Sequence, residues 1–283
     1  MSEIVRVTRA ELFKLVRRPA AWVLLATAVL LSQVFGYLIP YLGYRGGGSD
    51  MLDGSSPQQI LASTLPAQLV ANTIGGFPVF AGALALVLGA LMFGGEYGWG
   101  TIKTLFTQRP GRVSVLAGQV AALAVALAVS VAIMFGFGAA TSTAIAVGEN
   151  EPTAWPSVLD LFQGFAAGWL ILLMWACLGV VLGVVLRGVA LPIGLGVVWV
   201  LGIENLISAM AGSMLSALEP VRDVLPGVNA GSLVSAVIPP GMVEAPPGVS
   251  TSVDGGRALI TLTSYVLVCV AVAIWSSRRR DVV

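Results

Sequence analysis

Six long apolar runs, each free of charge over most of its length, dictate what this chain can fold into. They lie approximately at Ala20 to Tyr41, Thr73 to Gly94, Val113 to Val147, Val158 to Val185, Val189 to Ala211 and Ala258 to Ser276. A spanning helix needs roughly 20 apolar residues and a barrel strand only ~10 alternating ones, so continuous runs of this length predict helices. Charged residues make up 10% of the chain, against about a quarter in a soluble domain. The sequence therefore predicts an all-α integral membrane protein: six transmembrane helices forming a single domain over residues 1–283. The third run is longer than a ~30 Å hydrocarbon core requires, so it is expected to tilt or protrude.

Lys and Arg in the loops set the orientation, because positive charge is retained on the cytoplasmic side. Arg6, Arg9, Lys14, Arg17 and Arg18 precede the first span, and Lys103, Arg109 and Arg112 separate the second from the third. Arg187 follows the fourth and Arg278, Arg279 and Arg280 follow the sixth. The opposite loops hold Arg45, Arg222 and Arg257 among many more carboxylates. Both termini are expected in the cytoplasm, with the chain in the cytoplasmic (inner) membrane. The near-neutral net charge gives no reason to expect nucleic acid as a partner.

Histidine is absent, which removes the commonest general base and metal ligand. Neither H-E-x-x-H nor G-x-S-x-G occurs, and no glycine loop followed by Lys could cradle phosphates. No catalytic residue, metal site or cofactor is expected in this chain. Cys177 and Cys269 lie inside apolar spans and read as packing residues.

Ahead of the first span, at about 100° per residue, Ile4, Val5, Leu12, Leu15 and Val16 gather on one face. Glu3, Arg6, Glu11, Lys14, Arg17 and Arg18 take the other. An interfacial helix over 1–18 is predicted, turning into the first span at Pro19, rather than a cleaved signal. Its polar residues Arg6, Arg9, Glu11, Lys14, Arg17 and Arg18 are candidates for the membrane surface or a neighbouring cytoplasmic element.

The polar interruption from Glu96 to Arg112, EYGWGTIKTLFTQRPGR, is the one stretch that looks built to touch a partner. Gly94, Gly95, Gly98 and Gly100 are expected to loosen the chain before it, and Pro110-Gly111 to end it. Ile102, Leu105 and Phe106 recur at helical spacing beside Lys103 and Thr107, predicting a short amphipathic helix. Leu105 and Phe106 offer apolar anchors, and Lys103, Arg109 and Arg112 offer orientation. The plainer alternative is a solvated connector whose cations only fix topology.

An acidic residue leaving the second span, then Gly-Thr-x-Lys, a short apolar-polar run and an Arg before the third resembles the permease subunits of ABC-2 type ATP-binding cassette transporters. The matching residues are Glu96, Gly100, Thr101, Lys103, Thr104, Leu105, Arg109 and Arg112. The opening Ala10-Glu11-Leu12-Phe13-Lys14-Leu15 with Arg17 and Arg18 is similar to theirs as well. The resemblance implies that residues 95–112, with Phe106 among them, form a coupling helix seated on a separate ABC ATPase subunit. It further implies two ATPase copies that bind the ATP and Mg, and a second permease subunit in a homodimer or heterodimer. The function implied is an exporter permease forming the path for a hydrophobic or amphipathic drug, lipid or peptide.

Glu204 stands out within the fifth span, since a mid-membrane carboxylate costs ~2.5–3.5 kcal/mol on insertion scales. It lies about 20 Å from the cytoplasmic end of that span, in its outer half. Glu204 and Asn205 either line a translocation path or subunit contact, or cap a helix where the span breaks. An ion-coupled secondary transporter using Glu204 is the main alternative function, and a non-transporting membrane scaffold the third.

Gly164-x-x-x-Gly168 and Gly179-x-x-x-Gly183 predict close helix approach, within one subunit or at a dimer face. Outside the spans, Gln58 to Leu69 looks helical, and the outer segment 212–256 reads as short half-buried helices broken at Pro220, Pro226 and Pro239-Pro240. The resemblance implies that the helices of this outer segment, between spans five and six, are re-entrant.

Overall fold

A computed structural model describes residues 3–46, 56–98, 111–213, 216–238 and 246–279. All regular structure among them is helical. Helix α1 (Glu3–Arg17) precedes the first span, α2 (Pro19–Arg45). A short helix α3 (Pro57–Ser63) then leads to α4 (Pro66–Glu96), α5 (Arg112–Gly148), α6 (Val158–Leu186) and α7 (Ala190–Ala211). Helix α8 (Pro226–Val237) lies between α7 and the last span, α9 (Gly255–Arg279). Among the described residues six helices are thus long and apolar enough to cross a membrane, at the places the apolar runs marked.

Local chemistry explains several boundaries. Ser56 and Ser157 each accept a backbone N–H three residues on, while Gln59 and Asp160 reach back to the cap, closing reciprocal caps on α3 and α6. Pro19, Pro57, Pro66 and Pro226 stand in first turns, where a missing N–H costs no helical hydrogen bond. The stretch Gln58 to Leu69 is not one helix: it breaks at Thr64 and Leu65, and Pro66 opens α4 well before Thr73. Helix α5 runs 37 residues, about 55 Å at the usual rise, so it overshoots a bilayer core.

The core is the α4–α6 pair, whose apolar windows are each 61% buried, against 6% for α2. Glycine makes this possible. A Cβ on Gly89 would overlap the Ala176 carbonyl, and one on Gly179 would overlap that of Leu86. Gly164 and Gly168 face Val70 and Phe77 of the same helix α4. Both small-residue motifs therefore serve packing inside one chain. Trp175, Phe77, Leu86, Ile171 and Met174 fill the space around them. Gly94, Gly95 and Gly98 do not loosen the chain, since α4 stays helical through Gly98, and Gly94 lets it press on the Gly188 backbone.

Candidate functional site

At one end of the bundle α1 lies across the start of α5. Val7, Thr8, Glu11 and Leu15 turn toward the protein, and the Thr8 hydroxyl lies within hydrogen-bond distance of the Ile4 carbonyl (2.9 Å) and the Gly118 carbonyl (3.2 Å). Gly118 is needed there because Val7 sits where its Cβ would be. The apolar residues Ile4, Val5, Phe13 and Val16 remain exposed along another side, and Arg6, Arg9 and Arg17 are exposed too. The Arg17 guanidinium covers the Phe13 ring at 4.8 Å. The simple two-faced reading of α1 therefore needs correction: Glu11, placed by periodicity on the water side, is 5% exposed.

Glu11 is buried because it joins a charge cluster. Lys14 Nζ donates to Glu11 Oε1 at 2.8 Å and reaches Glu96 Oε1 at 3.5 Å. Arg18 Nη2 approaches the same Glu96 oxygen at 3.6 Å, and Arg18 Nη1 donates to the Leu91 carbonyl at 3.4 Å. Glu96 is also 5% exposed. Burial pulls the Lys14 ammonium down, but the hydrogen bond and charge of Glu11, helped by Glu96, outweigh it and hold its pKa above the ordinary lysine value. Four residues from α1, the elbow at Arg18 and the end of α4 thus form one unit. Sequence spacing shows the Glu11–Lys14 pair but not its junction with Glu96, eighty-five residues on.

Beyond Glu96 the chain enters the polar interruption. Gly100, Thr101, Lys103, Thr104, Leu105, Phe106 and Arg109 lie outside the described residues, and so does the helix expected there. Arg112 is the first residue of α5, behind Gly111 as its cap.

Glu204 occupies the other end. The five residues Trp199–Ile203 form a π-helical turn, and Glu204 follows it, 4% exposed. Both carboxylate oxygens accept from the Gly227 N–H at 3.1 Å, in the first turn of α8. The carboxylate thereby satisfies a donor at a helix N-terminus, where negative charge is favoured. A side chain at Gly227 would overlap that carboxylate. Asn205 Nδ2 donates to the Val200 and Leu201 carbonyls at 3.2 and 3.1 Å, which the wider turn leaves accessible. Glu204, Asn205, Ser208, Arg222 and Ser252 also line a cavity of about 300 Å³. The buried cap and the cavity wall are one residue.

On the same end, Glu149 ties α5 to α2. It accepts from Tyr41 at 2.6 Å, Arg45 at 2.9 Å and Tyr44 at 3.3 Å. The Tyr41 hydrogen bond first and the Arg45 guanidinium next hold the Glu149 carboxyl below its ordinary value. Among the described residues no three His, Cys, Asp or Glu side chains stand together as a metal site. Cys177 and Cys269 are buried, unbridged thiols in α6 and α9.

The arrangement joins the N-terminal helix α1, the stem of a polar segment and a bundle of long apolar helices, and holds no group of residues arranged for covalent chemistry among those described. No curated protein matches the chain. The family described as ABC-2 family transporter protein matches residues 5–282.

Proposed function

The chain belongs to the ABC-2 family of transporter proteins, and from that premise we propose that it is the permease subunit of an ATP-driven exporter. The permease assignment follows from the family together with six apolar helices. In this reading residues 95–112 seat on a separate ABC ATPase, two copies of which bind ATP and Mg and drive a pair of permease subunits. The α1 end faces the cytoplasm of the inner membrane. Closure of the ATPases pushes the 95–112 segment, and the push reaches the spans through Glu96.

The observation that supports this is the Glu11–Lys14–Arg18–Glu96 cluster. A segment that only connects two spans needs no buried carboxylate at its root. A segment that transmits force needs its root fixed to something stiff, and Glu96 is fixed to both the interfacial helix and the elbow. Exposed Arg6, Arg9 and Arg17 suit the anionic headgroups beside it. At the far end Glu204 and Asn205 line the cavity beside α8, which supports their place on a path for a hydrophobic or amphipathic substrate.

Replacing Leu105 and Phe106 together by Ala removes the apolar anchors without touching a span. The expected result is loss of ATPase co-purification with normal membrane insertion. Undiminished co-purification would refute the coupling assignment.

A further inference from the structure

We propose that a second cavity, between α2 and α4 at the end away from α1, is a binding site for a neutral, mostly apolar amphipath carrying one hydroxyl or carbonyl group. Its volume is about 530 Å³, within the ~300–1,000 Å³ range of small-molecule sites. It is walled by Leu31, Phe35 and Ile39 of α2, Phe77 and Phe80 of α4, and Met134 of α5, with Ile60 of α3 and Pro246 closing the end. Phe35 and Ile39 are 53% and 42% exposed, so the space reaches the outside of the bundle along α2. A carbon-lined space of this size is not left empty by close-packed side chains unless something else fills it.

The walls are shaped rather than loose. Val34–Leu38 in α2 and Phe77–Ala81 in α4 are both π-helical, a distortion concentrated at functional sites. They carry Phe35 and Phe80, whose rings stack with centroids 5.6 Å apart and planes 4° from parallel. The walls cannot move closer. A Cβ on Gly36 would stand 3.0 Å from the Asn72 carbonyl oxygen, and one on Gly75 only 2.7 Å from Pro246.

The lining selects the guest. Every lining residue among those described is uncharged, and their polar side chains are Ser32, Ser63, Asn72 and Thr73. Three of these are already engaged: Ser63 donates to the Ile60 carbonyl, Asn72 to that of Ser63 and Thr73 to that of Leu69. The Ser32 hydroxyl is buried and has no partner among the described residues. One free hydroxyl in an apolar chamber fits one neutral hydrogen-bonding group on an apolar body. A phosphate, carboxylate or ammonium would enter without a counter-charge among the described residues, at a cost that disfavours it. That the guest is cargo rests on the exporter reading; that it binds does not.

The test uses the full chain in lipid nanodiscs, without ATPase, and a photoactivatable 1-dodecanol bearing a diazirine on its chain. Adducts should concentrate in residues 28–39 and 71–81, and unlabelled 1-dodecanol should compete them away. Ser32→Ala should weaken that competition by roughly three- to tenfold, the worth of one hydrogen bond. Ala28→Trp, which fills the chamber, should remove the adducts. The dodecanoate and dodecylammonium analogues should compete at least about a hundredfold less well. Adducts spread evenly over the exposed faces of α2, α7 and α9, or equal competition by the charged analogues, would overturn the proposal. So would disulfide-linked dimers of Phe35→Cys that block labelling, since a second copy would then fill the space. Competition in the unsubstituted chain decides the matter even if Ala28→Trp fails to fold. Binding in the nanodisc, together with failure of any ATPase to co-purify with the chain from native membranes, would leave the site standing and sink the exporter reading, whereas absent binding beside intact co-purification would do the reverse.

Discussion

The two ends of the bundle hold their buried carboxylates by different means. At the α1 end Glu11 and Glu96 share two side-chain cations, drawn from α1 and from Arg18 just after it. At the far end Glu204 has no side-chain cation bonded to it among the described residues and rests on the Gly227 N–H at the start of α8 and the Trp199 side chain. A cluster of side-chain charges ties separate elements into one body and is costly to open when one member is lost. A helix N-terminus offers a weaker, replaceable hold, since another acceptor can serve it. The first suits a junction that carries load, and the second suits an element that shifts during a cycle.

Removing Glu96 should break that contrast most forcefully. Glu96→Ala leaves Lys14 and Arg18 facing one another, with an expected loss of about 2–3 kcal/mol and of most ATPase-coupled activity. Thermal unfolding in detergent, beside nucleotide turnover of the assembled complex, reads both. A variant as stable and as active as the parent would leave the cluster without a role.

Glu204 should respond more mildly and with a different pattern. Glu204→Ala strips α8 of its acceptor, for about 1–2 kcal/mol, whereas Glu204→Gln keeps a carbonyl in place and should lose less than half as much. Equal losses from the two substitutions would mean that charge, not capping, is what Glu204 contributes. Transport unaltered in Glu204→Gln would further remove it from the path.

Titration sharpens the comparison at smaller amplitude. The Lys14 pKa is raised in the folded protein, so its contribution is complete below the ordinary lysine value and is lost as pH rises through the raised one. Melting temperature should fall across that alkaline window in the parent and less so in Lys14→Met. Glu149 behaves oppositely: its pKa is depressed, so its contribution is present above the ordinary carboxylate value and lost as pH falls through the depressed one. Tyr41→Phe, which removes the leading cause, should shrink this acid-side slope, the smallest of the four effects because the clamp is exposed to solvent.

The spans were legible because lipid demands long uninterrupted apolar runs, and each run became a helix where it stood. Pro66 was harder to read as a start, because Gln68 and Asn72 dilute the apolar signal in a stretch the fold nonetheless buries. Periodicity assigns faces to α1 but does not say which face meets protein, so it places Glu11 in water, whereas Glu11 is buried and shares the Lys14 ammonium with Glu96. Glu204 was visible as an anomaly, yet the Gly227 N–H that it accepts from has no side chain to announce it, and Trp199, whose side chain also bonds it, reads as an ordinary span residue. The 530 Å³ cavity left no pattern in the chain at all, since it arises from π-helical turns and close approaches between helices distant in sequence.

The most direct measurement on the central claim is chemical crosslinking from position 105 in native membranes. Leu105→Cys, treated with a short bifunctional maleimide, should yield an adduct with a nucleotide-binding protein, identified by mass spectrometry. Efficient labelling of that cysteine by a water-soluble maleimide, with no ATPase adduct formed, would contradict a coupled permease.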